Sequence, residues 1–495
     1  MILFWLIPYS VAILYLLVWL YYEKVENYPK GPRPYPIVGN LLTLNISKLN
    51  KEIEKYSKIY GGIFTIWLPK PHVVIAGYEH AKEAFSKNGD DYACRCETFP
   101  ETIFQNATTR GVIFSQGYKW QEQRRMAHLM LKSMEMGKNL MVEQVLLSAE
   151  NFLKDLSSMS NKDEICLKRP IEVFVANNIN KMLFGFSYEY DNCDRLVKII
   201  DGYNTLFERM KGSKLTLFGH VFPVIYRFSL LRYFAMERFR RILRGPSQII
   251  KEDVARALES YLVNQEPECL VQAYDQKMHS SPALNEDKLL ELCMDFFMAG
   301  MESTTLTLRW ATLLLAAHTD KQEKIREEIL SVLGHDGKPT SSVWSEMRYT
   351  RAAIQEIQRF TNIVPVSVTH RTIRTTTTET IRIPADTLIM SSANHTMAYL
   401  PVFESGHEFQ PERFLEVDGI PADKAHFLHL CPFPLDEKQC TREEMVRVEL
   451  IVFLVALLRN YKVMPVEGQV IDLEPTFATL LIPKQQPLQL IPLRR

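Results

Sequence analysis

This sequence of 495 residues has few glycines, no net charge and no cysteine pair with the spacing of a zinc site. Twenty glycines are too few for a glycine-rich all-β architecture or a collagen-like chain. Lysine and arginine total 58, and so do aspartate and glutamate, so the net charge is zero and a nucleic-acid partner is not expected. The eight cysteines are scattered, and Cys94-Arg95-Cys96 is too tight for a zinc pair. Free thiols in a reducing compartment are therefore expected.

The composition is that of an ordinary folded protein. Apolar residues make up 46% of the chain and charged residues 23%, which excludes a disordered chain. No internal repeat is visible, and no linker after residue 40 divides the chain. Residues 41–495 are therefore predicted to form a single domain.

The first 22 residues carry no charged side chain. As a helix they span about 33 Å, enough to cross a hydrocarbon core, and Trp19 and Tyr21 stand where an interfacial aromatic belt is expected. The run is too long for a cleaved signal peptide and lacks a basic start. Residues 1–22 are therefore predicted to be a transmembrane anchor. Since Lys24 and Arg33 follow it and no basic residue precedes it, the body of the protein should face the cytosol.

A proline-rich elbow is predicted at residues 23–40, because PKGPRPYP holds four prolines in eight residues. The runs GGIFTIWL and HVVIAG predict a strand pair. Short strands and loops are expected over 361–442. The fold class is therefore mainly α with small β-sheets (α+β). Apolar periodicity predicts helices over 118–134, 139–158, 171–184, 245–265, 285–317, 320–333, 344–360 and 443–459.

Gly300 lies in the interior of the predicted helix 285–317, where glycine costs about 1 kcal/mol relative to alanine. A gap beside the backbone explains it, either as room for a flat ligand or as a local widening of the helix. Glu302 and Ser303 then place an acid and a hydroxyl beside that gap. The alternative is a glycine at a helix–helix crossing with a solvated glutamate. The residues alone leave both interpretations open.

Three further groups carry chemistry, each with a structural alternative. Trp120 and Arg124 share a helix face and either hold an anion or are a core tryptophan and a surface arginine. Glu356 and Arg359 form either a partly buried ion pair or an ordinary surface pair. Cys440 precedes a helix, where a thiolate gains from the exposed N–H groups and can ligate haem iron, or it is an inert buried thiol.

The order and spacing of these segments resemble those of a microsomal cytochrome P450, a haem-thiolate monooxygenase of the xenobiotic-metabolising type. The resemblance covers essentially the whole chain and implies the cytochrome P450 fold with an N-terminal transmembrane helix. The segments that carry it are PKGP after the anchor, GVIFSQGYKWQEQRR, MAGMEST, EIQR, HEFQPERFL, and PFPLDEKQC followed by RVELIVFL.

The resemblance implies a role for each matching position. Cys440 would ligate the haem iron, and Glu302 and Ser303 would relay protons to oxygen. The haem propionates would be bound by Trp120, Arg124, His370 and Lys438, with Arg95 as a weaker candidate. A structural ion triad would consist of Glu356, Arg359 and Arg413. The substrate pocket would be lined from 99–114, 203–222, 294–303, 364–369 and around Phe477, with Phe114, Phe297, Ala299, Val366 and Phe477 as its named residues.

The same resemblance implies the cofactor and the partners. Heme b would insert one oxygen atom of O2 into an apolar small molecule. Electrons would come from NADPH through a flavoprotein reductase, with cytochrome b5 as a further candidate donor. The protein would reside in the endoplasmic reticulum membrane as a single-pass protein. No nucleic-acid partner is implied.

The haem loop departs from the family pattern Phe-x-x-Gly-x-Arg-x-Cys-x-Gly, since only Phe433 and Cys440 match it. The replacements are Asp436 and Arg442 for the glycines, Lys438 for the arginine, and Glu437 for a common basic residue. Acidic charges near the thiolate oppose ligation and weaken docking of an acidic reductase face, whereas the basic ones favour ligation. Three readings follow: an active monooxygenase, a haem protein with impaired turnover, or a haem-free pseudoenzyme of the same fold.

Overall fold

The structure is a computed structural model of the whole chain, and its description here covers the residues whose placement is defined. These are residues 2–96, 111–135, 138–211, 229–259, 261–279, 281, 284–340, 342–392, 397, 402–416, 422–433, 435, 438–478 and 480–493.

Helices dominate the described residues. The α-helices are α1 (Ile2–Glu26), α2 (Leu49–Tyr60), α3 (Tyr78–Lys82), α4 (Tyr118–Glu135), α5 (Lys138–Ser158), α6 (Lys168–Phe184), α7 (Asp194–Lys211), α8 (Ser229–Leu258), α9 (Leu270–Met278), α10 (Glu286–Ala317), α11 (Thr319–Leu333), α12 (Arg348–Thr361), α13 (Lys424–His429) and α14 (Glu443–Asn460). The strands are β1 (Ile63–Leu68), β2 (Lys70–Ile75), β3 (Cys94–Arg95), β4 (His370–Arg371), β5 (Thr376–Thr378), β6 (Ile381–Ile383), β7 (Leu388–Ser391), β8 (Tyr461–Pro465), β9 (Thr476–Ala478), β10 (Leu480–Ile482) and β11 (Leu488–Pro492).

Seven of the eight predicted helices are confirmed with ends within a few residues, but the helix predicted over 245–265 has the wrong bounds. Helix α8 already includes Ser229 and ends at Leu258, so it runs through Gly245-Pro246. A proline inside a helix removes one hydrogen bond and needs room for its ring. Gly202 of α7 provides the room, because a Cβ there would lie 2.2 Å from Pro246 Cγ.

One five-stranded sheet combines strands from residues 63–95 with strands from residues 370–391, which lie far apart in the sequence. Its order is β1-β2-β7-β4-β3, with β1 and β2 antiparallel, as predicted, and β2 parallel to β7. In the antiparallel β3–β4 pair, Arg95 lies opposite His370. The sheet thus brings together residues from distant parts of the chain. Glu379 takes a left-handed conformation (φ 52°) in the β5–β6 turn.

The main core is built around α10, which is buried along most of its length and packs against α6. Phe152, Phe174 and Phe453 of α5, α6 and α14 form a buried aromatic trio, with ring centroids 5.1–6.0 Å apart. Burial of such side chains stabilises the helical layer by roughly 1.5–3 kcal/mol each. The middle of α10 and the start of α14 are therefore held at fixed positions inside the domain.

The proline-rich elbow is attached to β1 by the buried Asn40. Its Nδ2 donates to the carbonyls of Pro32 and Arg33, and its Oδ1 accepts the N–H of Trp67. Gly31 lies so close to the strand that a Cβ would be 2.0 Å from the carbonyl oxygen of Thr65. Any side chain at that position would push the elbow off the sheet.

Helix α1 presents exposed apolar side chains, including Val11, Leu14 and Tyr15. Among the described residues, no helix meets the length and hydropathy needed to cross a membrane. The transmembrane anchor at residues 1–22 stays a prediction. All eight cysteines lie in described residues, and none of them forms a disulfide there.

Candidate active site

Three elements meet around Cys440: the start of α4, the middle of α10 and the loop before α14. Arg124 of α4 donates from Nη2 to the carbonyl of Gln439 at 2.5 Å. Lys438 donates to the carbonyl of Ser115 at 2.6 Å, and its ammonium lies 3.7 Å from the centre of the Trp120 ring. These contacts hold the loop against α4 and the segment that precedes it.

A second cationic group comes from the sheet. Arg95 is 5% exposed and donates to the carbonyls of Ile113 (3.1 Å) and Val368 (3.0 Å). Its Nη1 is also 2.9 Å from His370 Nε2, while His370 Nδ1 is 2.9 Å from the carbonyl of Tyr92. Nδ1 must therefore carry the proton, and Nε2 accepts from Arg95. Sequence reasoning ranked Arg95 below His370, but the β3–β4 pairing makes them direct neighbours.

Three of the predicted propionate-binding residues, Arg95, Trp120 and Lys438, contact one stretch of main chain, residues 111–116. Trp120 belongs to this group, because its Nε1 donates to the carbonyl of Val112 at 2.9 Å. Three basic residues therefore lie in this part of the site, Arg95, Arg124 and Lys438, of which Arg95 is buried and the others are half-buried. Such a set favours an anionic group.

Asp295 of α10 positions this stretch, and sequence reasoning missed it. Its Oδ2 accepts the backbone N–H groups of Val112 (2.7 Å) and Ile113 (3.0 Å). Gly111 has φ +77°, and a Cβ there would lie 2.4 Å from the same oxygen. Burial raises the pKa of Asp295 to about 7, against the two N–H donors that lower it. The one signal in the sequence was an aspartate inside the apolar run LCMDFFMAG.

Asp295→Asn should remove a pH-dependent loss of stability. The pKa of Asp295 in the folded state lies near 7, and its ordinary value is 3.8. The protonated carboxyl therefore adds to the free energy of unfolding in full below about pH 4, and this contribution is lost as the pH rises towards 7. Asparagine keeps an oxygen acceptor and does not titrate. The thermal midpoint of the variant relative to the wild type should therefore rise between pH 5 and pH 8.

The control is Asp295→Ala, which leaves two buried N–H groups without an acceptor. It should lower the midpoint at every pH, by the equivalent of about 2–4 kcal/mol. Parallel pH profiles for the wild type and Asp295→Asn would contradict the assignment of a raised pKa.

The middle of α10 carries the predicted oxygen-activation segment. Ala299 is exposed, Glu302 and Ser303 are half-buried, and the Ser303 hydroxyl donates to the carbonyl of Ala299 at 2.8 Å. The helix is α-helical throughout, so no local widening explains Gly300. The side chain of Arg442 lies in the gap beside this glycine. A Cβ at Gly300 would lie 1.7 Å from Arg442 Nη1 and 3.2 Å from Ile179 Cδ1.

Cys440 lies in the loop that leads into α14 and is only partly exposed. Burial raises the pKa of its thiol above the ordinary value, and the N–H and charge of Arg442 and the charge of Arg124 offset only part of this rise. The sequence left open whether acidic or basic neighbours dominate; among the described residues, burial has the largest effect on this pKa and outweighs the lowering by Arg442 and Arg124. Asp436 and Glu437 lie outside the described residues. A metal that binds here must therefore displace the thiol proton.

The three residues of the expected ion triad contact one another. Arg359 donates to both Glu356 oxygens at 2.7 and 2.8 Å, and Arg413 donates to Glu356 Oε1 at 3.2 Å. Glu356 and Arg359 are fully buried. Arg359 also donates to the carbonyls of Met397 and Glu408, which ties α12 to the loop that follows β7. The pair is therefore no ordinary surface pair.

The five residues named for the substrate pocket are not brought into one described cavity. Phe297 is fully buried and stacks on Tyr203, with centroids 6.3 Å apart. Val366 packs in a separate cluster with residues of β1 and α2. Phe114 and Phe477 are half-buried, and Ala299 is exposed. Parts of two expected pocket segments, 99–110 of 99–114 and 212–222 of 203–222, lie outside the described residues, so the pocket stays a prediction.

Comparison with known proteins assigns the family. The family model "Cytochrome P450" matches residues 29–491. Cytochrome P450 2F2 of Rattus norvegicus is 31% identical over 460 residues, 90% of each chain. Cytochrome P450 2C2 of Oryctolagus cuniculus is 31% identical over 444 residues, 88% of each chain. Cytochrome P450 2H1 of Gallus gallus is 30% identical over 494 residues, 97% of each chain.

The matched region includes every element of the site, from Arg95 on β3 to the start of α14. It also includes the joined sheet and the long buried helix α10. The chain belongs to the cytochrome P450 family.

Proposed function

We propose that this protein is a haem-thiolate monooxygenase that oxidises an apolar small molecule with electrons from NADPH, supplied by a flavoprotein reductase. The observation that carries the proposal is the half-buried thiol of Cys440 in a loop that Arg124 contacts and that contains Lys438, with Arg95 bonded to the same stretch of main chain as Lys438. Family membership supports this class of chemistry in general.

The donor chemistry of the site fits heme b. Heme b needs an axial ligand and counter-charges for two carboxylates, and the site offers one thiol and three cations. Cys440 would hold the iron, and Trp120, Arg124, His370 and Lys438, together with Arg95, would hold the carboxylates. When bound, this cofactor supplies the oxidising chemistry, and the thiolate favours cleavage of the O–O bond. Arg442 is the residue that does not fit this arrangement.

The chain itself contributes orientation and proton handling. The hydrogen bonds from Arg124 and Lys438 to main-chain carbonyls set the position of the loop before Cys440. Glu302 and Ser303 would deliver protons, as an acid and a hydroxyl on one side of α10. The Ser303 hydroxyl donates to its own helix at 2.8 Å, so it must rotate to donate elsewhere.

Ser303→Thr should improve proton delivery, and Ser303→Ala should impair it. The extra methyl of threonine restricts the rotamer, whereas alanine removes the donor. With NADPH and reductase, we expect peroxide released per NADPH consumed to fall in the threonine variant and to rise several-fold in the alanine variant.

The matched control is Thr312→Ala, which also removes a hydroxyl bonded back to α10 but lies further along the helix. Peroxide yields that do not differ between Ser303→Ala and this control would argue against a relay role. Glu302→Ala should also slow product formation and raise the peroxide yield.

We also propose that α1 holds the protein at the endoplasmic reticulum membrane, with the domain facing the cytosol. The exposed apolar side chains of Leu14, Tyr15 and Leu17 support an apolar environment for this helix. The basic residues Lys24, Lys30 and Arg33 that follow support the cytosolic side. Cytochrome b5 is a further candidate electron donor. Deletion of residues 1–22 should release the protein from membranes in a carbonate-extraction assay.

A second candidate function is that of a pseudoenzyme of the same fold, which binds haem poorly or not at all. The observation that favours it is the side chain of Arg442, which lies between the Cys440 loop and α10. Both candidates predict the same fold and differ in haem content, which the hemin titration described below measures.

A further inference from the structure

Arg442 connects the two sides of the candidate haem site. It follows Cys440 by two positions, and its Nη1 lies where a Cβ on Gly300 would be, 1.7 Å from that ideal position. Gly300 is next to Ala299 and close to Ser303 on α10. One side chain thus reaches from the loop of the proposed iron ligand to the helix of the proposed proton relay.

The guanidinium is buried there but poorly bonded. Arg442 is 5% exposed, and its Nη2 lies 3.8 Å from Glu449 Oε1 and 3.2 Å from Met445 Sδ. Its Nε and Nη1 have no hydrogen-bond partner among the described residues, and neither has either oxygen of Glu449. Buried donors without partners cost free energy. The guanidinium is therefore held only weakly, by the space available to it and by one long ion contact with Glu449.

We propose that the side chain of Arg442 is a plug of the cofactor slot. It occupies part of the space between the Cys440 loop and α10, and it must move before haem binds. The inference rests on the proposed function, since that function places haem between Cys440 and α10. Glycine at this position, as in the family pattern, would leave the slot open. The poor bonding of the guanidinium makes the plug displaceable, and the countercharge of Glu449 holds it in place when haem is absent.

The first test asks whether Arg442 touches Gly300, and it needs no haem. In the full-length apoprotein, Gly300→Ala should lower the thermal midpoint at a fixed scan rate, because the new Cβ meets the guanidinium. In the Arg442→Ala background, the same change should lower the midpoint much less, because Ile179 Cδ1, 3.2 Å from the new Cβ, is then the nearest remaining atom and alanine is the better helix former. Arg447→Ala, an exposed change on the same helix, should leave the effect of Gly300→Ala unaltered. Equal effects of Gly300→Ala in all three backgrounds would overturn the plug.

The second test measures competition with haem. Full-length apoprotein in detergent is titrated with hemin, and the Soret band reports binding. Arg442→Ala should bind hemin at least about tenfold more tightly than the wild type and Arg447→Ala, a difference of about 1.4 kcal/mol. If Arg442→Ala misfolds because Glu449 is left buried without a countercharge, Arg442→Ala/Glu449→Gln serves instead, compared with Glu449→Gln alone.

The outcomes separate the inference from the proposed function. Equal hemin affinity with and without Arg442 would overturn the plug and leave the monooxygenase proposal standing. No hemin binding by any folded variant, with Cys440→Ala giving the same result, would overturn the proposed function and the plug with it.

Discussion

Cys440→Ala should abolish oxygenation and remove the spectrum of thiolate-ligated haem. Cys440 is the thiol in the loop before α14, beside Arg124 and close to Arg442. Loss of residues that merely support a metal ligand costs 10–100-fold in metal affinity or activity, so loss of the axial ligand should cost more than about a hundredfold. The electron push that favours O–O cleavage comes from the sulfur and has no substitute in alanine.

The measurement is the absorption spectrum of the reduced protein with carbon monoxide, together with turnover in the presence of reductase and NADPH. The long-wavelength Soret band should disappear in Cys440→Ala and persist in Cys431→Ala. Cys431 is a suitable control because it is another half-buried thiol earlier in the same loop. Retained hydroxylation by Cys440→Ala would reject Cys440 as the iron ligand.

Arg359→Ala should unfold or strongly destabilise the protein. The arginine is fully buried and donates to Glu356 and to the carbonyls of Met397 and Glu408. Its removal leaves the buried carboxylate with the Arg413 contact at 3.2 Å and the backbone N–H of Gln410 at 2.9 Å. Breaking such a pair costs about 3–5 kcal/mol, a large part of the roughly 5–15 kcal/mol by which domains are stable.

The check is the midpoint of urea unfolding, followed by circular dichroism. Arg351→Ala is the matched control, since Arg351 lies on the same helix α12 but is exposed, and its change should stay within about 0.5 kcal/mol. Glu356→Ala should be at least as damaging as Arg359→Ala, because it leaves two arginines without their shared carboxylate. Equal midpoints for Arg359→Ala and Arg351→Ala would show that the triad contributes little to stability.

Periodicity in the sequence was sufficient for most of the local structure. Seven predicted helices and the β1–β2 pair agree with the structure, because apolar spacing depends only on neighbours a few residues away. Helix α8 is the exception, since its passage through Pro246 depends on Gly202 of another helix. Five helices among the described residues, α2, α3, α7, α9 and α13, were not predicted at all.

The sequence by itself determined the order of the chemical segments: Trp120 and Arg124, then Glu302 and Ser303, then Cys440 before a helix. It also showed that Arg442 departs from the family pattern, which has a glycine at this position. These features are local patterns of residue type and spacing, and they need no knowledge of which elements touch.

Only the tertiary structure decided what those residues contact. Asp295 supports residues 112–113, 183 and 182 positions away along the chain, and Arg95 meets His370 because the sheet joins the two ends of the sequence. Arg442 reaches Gly300 because α10 and α14 pack at a distance that one long side chain can span. Such contacts depend on helix packing and strand order, which are set by the whole core and leave no periodic trace in the sequence.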